Sequence, residues 1–440
     1  MYEIMKKFEF TGETKTINLL FGTATLHRIR AVAKFGFVEI GELGGWIEKE
    51  ENLSHEENAW VYGDAKVYGN AKVYGNAEVR DKAEVCGNAK VYGNAKVGED
   101  AEVYDNAEVC GNVIVYGNAE VRDKAEVCGN AIVYGNAKVG EDAKVYGKAE
   151  VCGKAGVRGK AEIWDDAKVY DNAIVCEDAN VYGNAQIYGN AKVRADAKVY
   201  GKAGVCGKAE VCGNAIVYGN AKIYGNAKVY DNAKVWDDAK VYDNAEVCGN
   251  AKVWYDAKVY GNAKVYSNAE VYSNAKVYDN AKVWEDAIVC SNVKVYGNAI
   301  VCGNAKVYGN AKVYDNAKVW DDAKVYVNAK VYSNAEVYSN AKVYGNAKVY
   351  GNAEVCGKAE VCGKAEVFST RHVLVIGTIG SQDDFATFYR DKDNEITVKC
   401  GYFLDKIDKF LEKVTETHGD SNYALVCRAA VEAARLQIDL

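Results

Sequence analysis

The chain has 440 residues, a formal charge of −7 and no proline. Acidity this mild does not mark the whole molecule as a binder of nucleic acid or membrane. No run approaches the roughly 18 apolar residues that would cross a bilayer, and the N-terminus lacks the apolar stretch of a secretory signal.

Residues 1–58 carry alternating apolar and polar stretches at 2–10, 16–21 and 26–32, which predict short strands. The segment reads as a β-rich cap over an open strand edge, a feature that otherwise templates aggregation. Trp46 and Trp60 are expected to act as apolar lids over the first coil of the adjoining repeat.

From Val61 to Val367 every sixth residue is aliphatic, fifty-two positions without a slip, and only Ile163, Ile187 and Ile223 are not Val. Two residues earlier stands a small residue, nearly always Ala, so the unit reads Ala-Lys-Val-Tyr-Gly-Asn. Ala and Val alternate with larger side chains, the period-two pattern of a strand. Gly-Asn tolerates positive φ and turns the chain. A helix is a poor alternative, because period six holds no stripe at 3.6 residues per turn and both Gly and Val oppose helix. One unit buries almost nothing alone, so units must stack into a solenoid with a continuous Val and Ala core.

Val67-Tyr68-Gly69-Asn70-Ala71-Lys72 resembles the unit of the hexapeptide-repeat superfamily, with an aliphatic residue first and a small residue four positions later. The resemblance covers 61–367, within a repeat domain placed at 59–367, and implies a left-handed parallel β-helix with three hexads per coil. Periodicity itself sets no handedness. Coils of 18 residues would make a rod on the order of 80 Å long at the usual strand spacing. The whole chain, with Leu43-Gly44-Gly45-Trp46-Ile47-Glu48 before the repeat and Cys400-Gly401-Tyr402-Phe403 after it, resembles repeat proteins of low-GC Gram-positive bacteria and their phages. That resemblance carries no activity with it.

Residues 368–440 read as a small α+β domain. A buried-type strand is predicted at 373–379, a hairpin at 385–390 and 395–400 around Asp393-Asn394, a helix at 402–417, and a second helix from Ser421 or Asn422 to about 438. The overall expectation is therefore an all-β solenoid with a small β-rich N-terminal cap and a small α+β C-terminal domain.

Twelve of the fourteen cysteines occupy the slot after the aliphatic residue, where Tyr usually stands. No Cys-x-x-Cys occurs, so a zinc site is not indicated, and neither metal nor cofactor is expected. The twelve read as unpaired, exposed thiols, and so many of them suit a reducing cytoplasm.

Outward residues 18 apart should stack, as with Trp236 and Trp254. Aromatic and basic side chains together are how single strands of nucleic acid are gripped, and 17 of the 22 residues preceding the aliphatic position between 222 and 348 are Lys. Lys228, Lys264 and Lys282 are candidate contacts. Asp231, Asp237, Asp238 and Asp243 at nearby corners offset that charge, so a polyanion ranks below a protein partner. Acyltransferases of the hexapeptide-repeat kind use a His and loops that break the repeat. Here no loop interrupts it and no His lies between His55 and His372, so enzyme activity is not expected there. Ser381, Asp383, Arg390, Cys400 and His418 are the candidates for convergence in the C-terminal domain, with Cys400 and His418 as a conceivable nucleophile and base. The sequence reads as a structural or adaptor protein presenting its C-terminal module and ladder surfaces to a macromolecular partner, with an oligomer allowed. The alternatives are a phage or mobile-element accessory protein that blocks a host protein or nucleic acid, and a small C-terminal enzyme.

Overall fold

The computed structural model describes residues 5–19 and 22–440. Two compact units divide the chain, Met1–Asn220 and Ala221–Leu440. Each is a parallel β-solenoid, and the second carries the α+β region.

In the first unit, β1 (Phe8–Leu19) and β2 (Gly22–Ala31) form an antiparallel hairpin, and β2 pairs antiparallel with β3 (Leu43–Ile47). The stretches expected at 2–10 and 16–21 thus belong in part to one long strand, with a register shift between Phe10 and Thr14; residues 1–4, 20 and 21 lie outside the described residues. β3 then pairs in parallel with the first coil strand, Trp46 opposite Lys66 and Ile47 opposite Val67. Leu53 bridges Val73 in the same sense, so Ile47 and Leu53 already occupy inward positions of the coil. Gly44 is required here: a Cβ on it would lie 2.6 Å from Ile29 Cγ1 and 2.7 Å from Trp60 Cζ2. Trp60 stands in an outward slot yet is fully buried, because Phe8 and Phe35 close over it at ring distances of 6.4 and 5.3 Å.

The hairpin also buries Lys7, whose ammonium donates to the Ala59 carbonyl at 2.8 Å. Burial pushes its pKa down from 10.5 to about 8, partly countered by Glu57. The unfolded chain holds that proton to higher pH than the folded one, so stability rises with pH across this window. Urea midpoints of the wild type should therefore climb between about pH 8 and 10 relative to those of Lys7→Met, which lacks the titrating group. Parallel pH profiles for the two proteins would refute the assignment.

The coil strands are short. They run as β4 (Trp60–Val61) to β30 (Ile216–Val217) in the first unit and β31 (Lys222–Ile223) to β55 (Glu366–Val367) in the second. Within each unit every strand pairs in parallel with the one 18 residues on, as in Val97 with Val115 or Val277 with Val295, so three hexads make one coil with three sheets. The reason is visible in the core. Every aliphatic position from 61 to 367 is at most 1% exposed, and each Ala two residues earlier is fully buried. Each such Val contributes roughly 1.5–3 kcal/mol when stacked on its neighbours. Corners are fixed by backbone: Gly93 has φ +70, and a Cβ there would meet Gly111 N at 2.8 Å. Where Asp takes that slot it pairs its carboxylate with the next coil, as when Gly189 N–H donates to Asp171 Oδ2 at 3.0 Å.

One departure concerns cysteine. Cys110 and Cys128 are joined as a disulfide, with Cα atoms 4.7 Å apart, which corrects the reading of all twelve repeat cysteines as unpaired. They are the pair among those twelve spaced by one coil, and stacking brings their Cα atoms within disulfide reach.

The C-terminal region of the second unit is a four-stranded antiparallel meander, β56 (Val373–Ile379), β57 (Asp384–Arg390), β58 (Ile396–Cys400) and β59 (Phe403–Lys406), backed by α1 (Ile407–His418) and α2 (Asn422–Gln437). The helix expected from 402 is corrected: its first turn is strand β59, because Phe403 and Leu404 pair with Cys400 and Lys399. Alternation along β57 explains how the module seats. Ala386 and Phe388 enter the core with Phe410, Val414 and Val431. Thr387 and Tyr389 face the last coil: Glu360 N–H donates to Thr387 Oγ1 at 2.9 Å, and Tyr389 OH donates to the Cys362 carbonyl at 3.1 Å. The open end of the solenoid is thereby satisfied by side chains of the module.

Candidate macromolecule-binding face

The second unit has three outward faces, distinguished by the residue preceding each inward Val or Ile. On the face of Lys228 the order is mixed, and lysines find carboxylates one coil away: Lys264 to Glu246 at 3.0 Å and Lys318 to Glu336 at 2.8 Å. The face of Lys234 behaves alike, with Lys252 to Glu270 at 3.0 Å and Lys342 to Glu360 at 2.6 Å. These pairs are half-exposed and each contributes well under about 1 kcal/mol; among the described residues they pair two of the four lysines on the first face and two of the five on the second.

The face of Lys222 is different. Lys222, Lys240, Lys258, Lys276, Lys294, Lys312, Lys330 and Lys348 stand directly one above another, each registered opposite the next. Lys348 reaches Glu366 at 2.7 Å. Among the described residues, no carboxylate lies within ion-pair distance of Lys240, Lys258, Lys276, Lys294, Lys312 or Lys330. Like charges directly opposite across strands are destabilising, so this row costs the fold stability.

Beside the lysines runs a column of rings. Tyr224, Tyr242, Tyr260, Tyr278, Tyr296, Tyr314, Tyr332 and Tyr350 stack with centroids 4.8–4.9 Å apart and interplanar angles of 0–5°. Phe368 continues it at 5.3 Å, and the Arg390 guanidinium covers Phe368 at 4.8 Å. Burial within the column pushes the Tyr242, Tyr278 and Tyr314 phenols up to about 12, so they stay protonated donors at neutral pH. At the corner beyond the rings, asparagine side chains form their own chain from Asn226 to Asn352, Nδ2 donating to Oδ1 one coil on. The corner aspartates Asp243, Asp279 and Asp315 accept backbone N–H groups of Gly261, Gly297 and Ser333. On the other flank, Asp238 and Asp256 share a shallow groove with Lys240 and Lys258, but Asn274 and Asn292 take those places beside Lys276 and Lys294.

Of the residues singled out from sequence, Trp236 and Trp254 stack at 4.8 Å and 6°, on the face of Lys234. Lys228, Lys264 and Lys282 lie on the mixed face, and Lys264 is paired with Glu246. Counting lysines at period six hides the uncompensated row. Its signal is period 18: sorted that way, all eight positions on one face are Lys.

In the C-terminal region, Ser381, Cys400 and His418 line one cleft of about 140 Å³, together with Asp384, Lys413 and Cys427. Asp383 sits at the β56–β57 turn with φ +51 and does not line that cleft. Arg390 is elsewhere, donating to the Glu366 carbonyl at 3.3 Å. Burial, reinforced by the Asp384 carboxylate, pushes the Cys400 thiol up to about 11. It is a protonated thiol at neutral pH, the form that is not nucleophilic.

Among the described residues, no group of three or more His, Cys, Asp or Glu is placed to hold a metal ion, and no helix is long and apolar enough to cross a membrane. No protein-family model matches the chain, and no curated protein matches it.

Proposed function

We propose that this protein is a structural or adaptor solenoid of the hexapeptide-repeat kind, a scaffold that holds a macromolecular partner along the face of Lys222. The observation that carries this reading is the contrast between faces of one unit. Two faces intersperse Glu among their lysines and make two ion pairs each between coils, while the third keeps six consecutive lysines without carboxylate partners among the described residues. A scaffold needing only stability gains from Glu interspersed among the lysines, as on the other faces, rather than from an unbroken row of Lys. A row retained at a cost in stability is the mark of a surface kept for binding. The twelve free thiols favour a cytoplasmic setting, and the Cys110–Cys128 disulfide weighs against it.

The test compares the intact chain with Lys258→Glu/Lys294→Glu/Lys330→Glu as baits in native lysate, each against Lys228→Glu/Lys264→Glu/Lys282→Glu, which changes net charge equally on another face. A partner lost with the first variant and kept with the second is the expected result. Capture insensitive to both would exclude this face as the contact.

A further inference from the structure

The face of Lys222 has a geometry that selects among macromolecules. Eight ammonium groups lie in one straight row, and at about 4.8 Å per coil the row spans roughly 34 Å. The row is one side chain wide, with asparagines or corner aspartates along both flanks. A line of charge matches a linear polyanion better than a sheet of anionic headgroups, which would also meet the flanking carboxylates. A rigid duplex winds its phosphates away from a straight line, returning only once per turn of about 34–36 Å. A flexible single strand can follow the whole row.

The tyrosine column then decides how such a strand is read. Aromatic platforms usually grip single strands by stacking on bases. Here each ring face is already covered by the next ring at 4.8–4.9 Å, so the column offers edges and hydroxyls but no free faces between Tyr242 and Tyr350. Contact is left to ammonium groups and phenol donors, both of which suit phosphate oxygens.

We propose that this face binds single-stranded nucleic acid through its phosphates, without regard to base. The inference rests on the scaffold reading and names the partner class of the same face. The test is fluorescence anisotropy of the full chain with labelled oligothymidylate, oligodeoxyadenylate and mixed-sequence RNA long enough to cover the row. Duplex DNA and vesicles rich in anionic lipid serve as the competing arms. All three single strands should bind within about threefold of one another. With five phosphate contacts, affinity should fall on the order of 100-fold between about 50 and 200 mM salt.

Lys258→Glu/Lys294→Glu/Lys330→Glu should weaken binding on the order of 100-fold. Its melting temperature should hold or rise, since the row becomes alternating and each new Glu meets Lys neighbours. Lys228→Glu/Lys264→Glu/Lys282→Glu should change affinity less than about threefold. Tighter binding to duplex or to vesicles, a strong preference for one base, or equal loss in both triple variants would each overturn the proposal. If single strands do not bind while lysate capture still depends on Lys258, Lys294 and Lys330, the inference falls and the scaffold reading stands. If capture is also insensitive, both fall.

Discussion

Val295→Asp should abolish cooperative folding of the 221–440 unit, whereas Tyr296→Ser, one residue along, should leave it folded. Val295 is fully buried and registered between Val277 and Val313. Every neighbour in that column is another fully buried aliphatic residue, so a carboxylate placed there finds no donor and no water. An unpaired buried charge of this kind costs several kcal/mol, a large fraction of the stability of an ordinary domain. The damage also spreads, because a coil in a solenoid contacts only its two neighbours and a broken one interrupts the stack. Tyr296 points the other way. Its ring touches Tyr278 and Tyr314 at 4.9 Å, and losing both contacts costs roughly 1 kcal/mol, as cross-strand pairs do. Circular dichroism and urea unfolding read the two variants directly. Equal loss of structure in both would mean that the inward and outward assignment is mistaken.

The inward half of this fold was legible because it is governed by one local rule. A residue that must be buried on every coil cannot vary, so Val61 to Val367 announces the core and Ala the narrow corners. The outward half obeys a longer period. Lys276 and Lys282 look equivalent along the chain, yet the first belongs to an uncompensated row and the second to a face with Glu246 and Glu336. Only sorting by coil separates them. The same longer period joins Cys110 to Cys128, which reading by hexads treats as unrelated thiols. At the C-terminus, Phe403-Leu404-Asp405-Lys406 has no pattern that separates strand from helix, and the strand state wins through pairing with Lys399 and Cys400. The cleft was half legible: Ser381, Cys400 and His418 do share a wall, but Arg390 is drawn to Phe368 and the last coil. Long-range packing of that kind leaves no local trace.

Deleting residues 277–294 or residues 277–282 should leave the unit folded in both cases, yet only the first deletion should preserve the binding face. Either cut rejoins Lys276 to a Val in the same hexad register, so the Val and Ala core is unbroken. The module at the end is seated on Glu360, Cys362 and Glu366, which both deletions leave intact. Removing 18 residues takes out one whole coil. Lys276 is then followed on its face by Lys312, Lys330 and Lys348, and the ring column passes from Tyr260 to Tyr296 and on to Tyr314. Seven lysines remain in line, and affinity for single strands should stay within about threefold of the intact chain. Removing six residues advances every later coil by one face. Lys276 is then followed by Ile300, Lys318, Glu336 and Glu354, and the column of tyrosines gives way to Trp284, Cys302 and Trp320. The row is broken at its centre, and Lys318 is drawn to Glu336 as it already is in the intact protein. Affinity should fall on the order of 100-fold, from the loss of half the phosphate contacts, while the unfolding transition stays cooperative. Equal binding by the two deletions would show that the alignment of lysines by coil is irrelevant. Loss of folding in the 18-residue deletion alone would contradict the three-hexad coil itself.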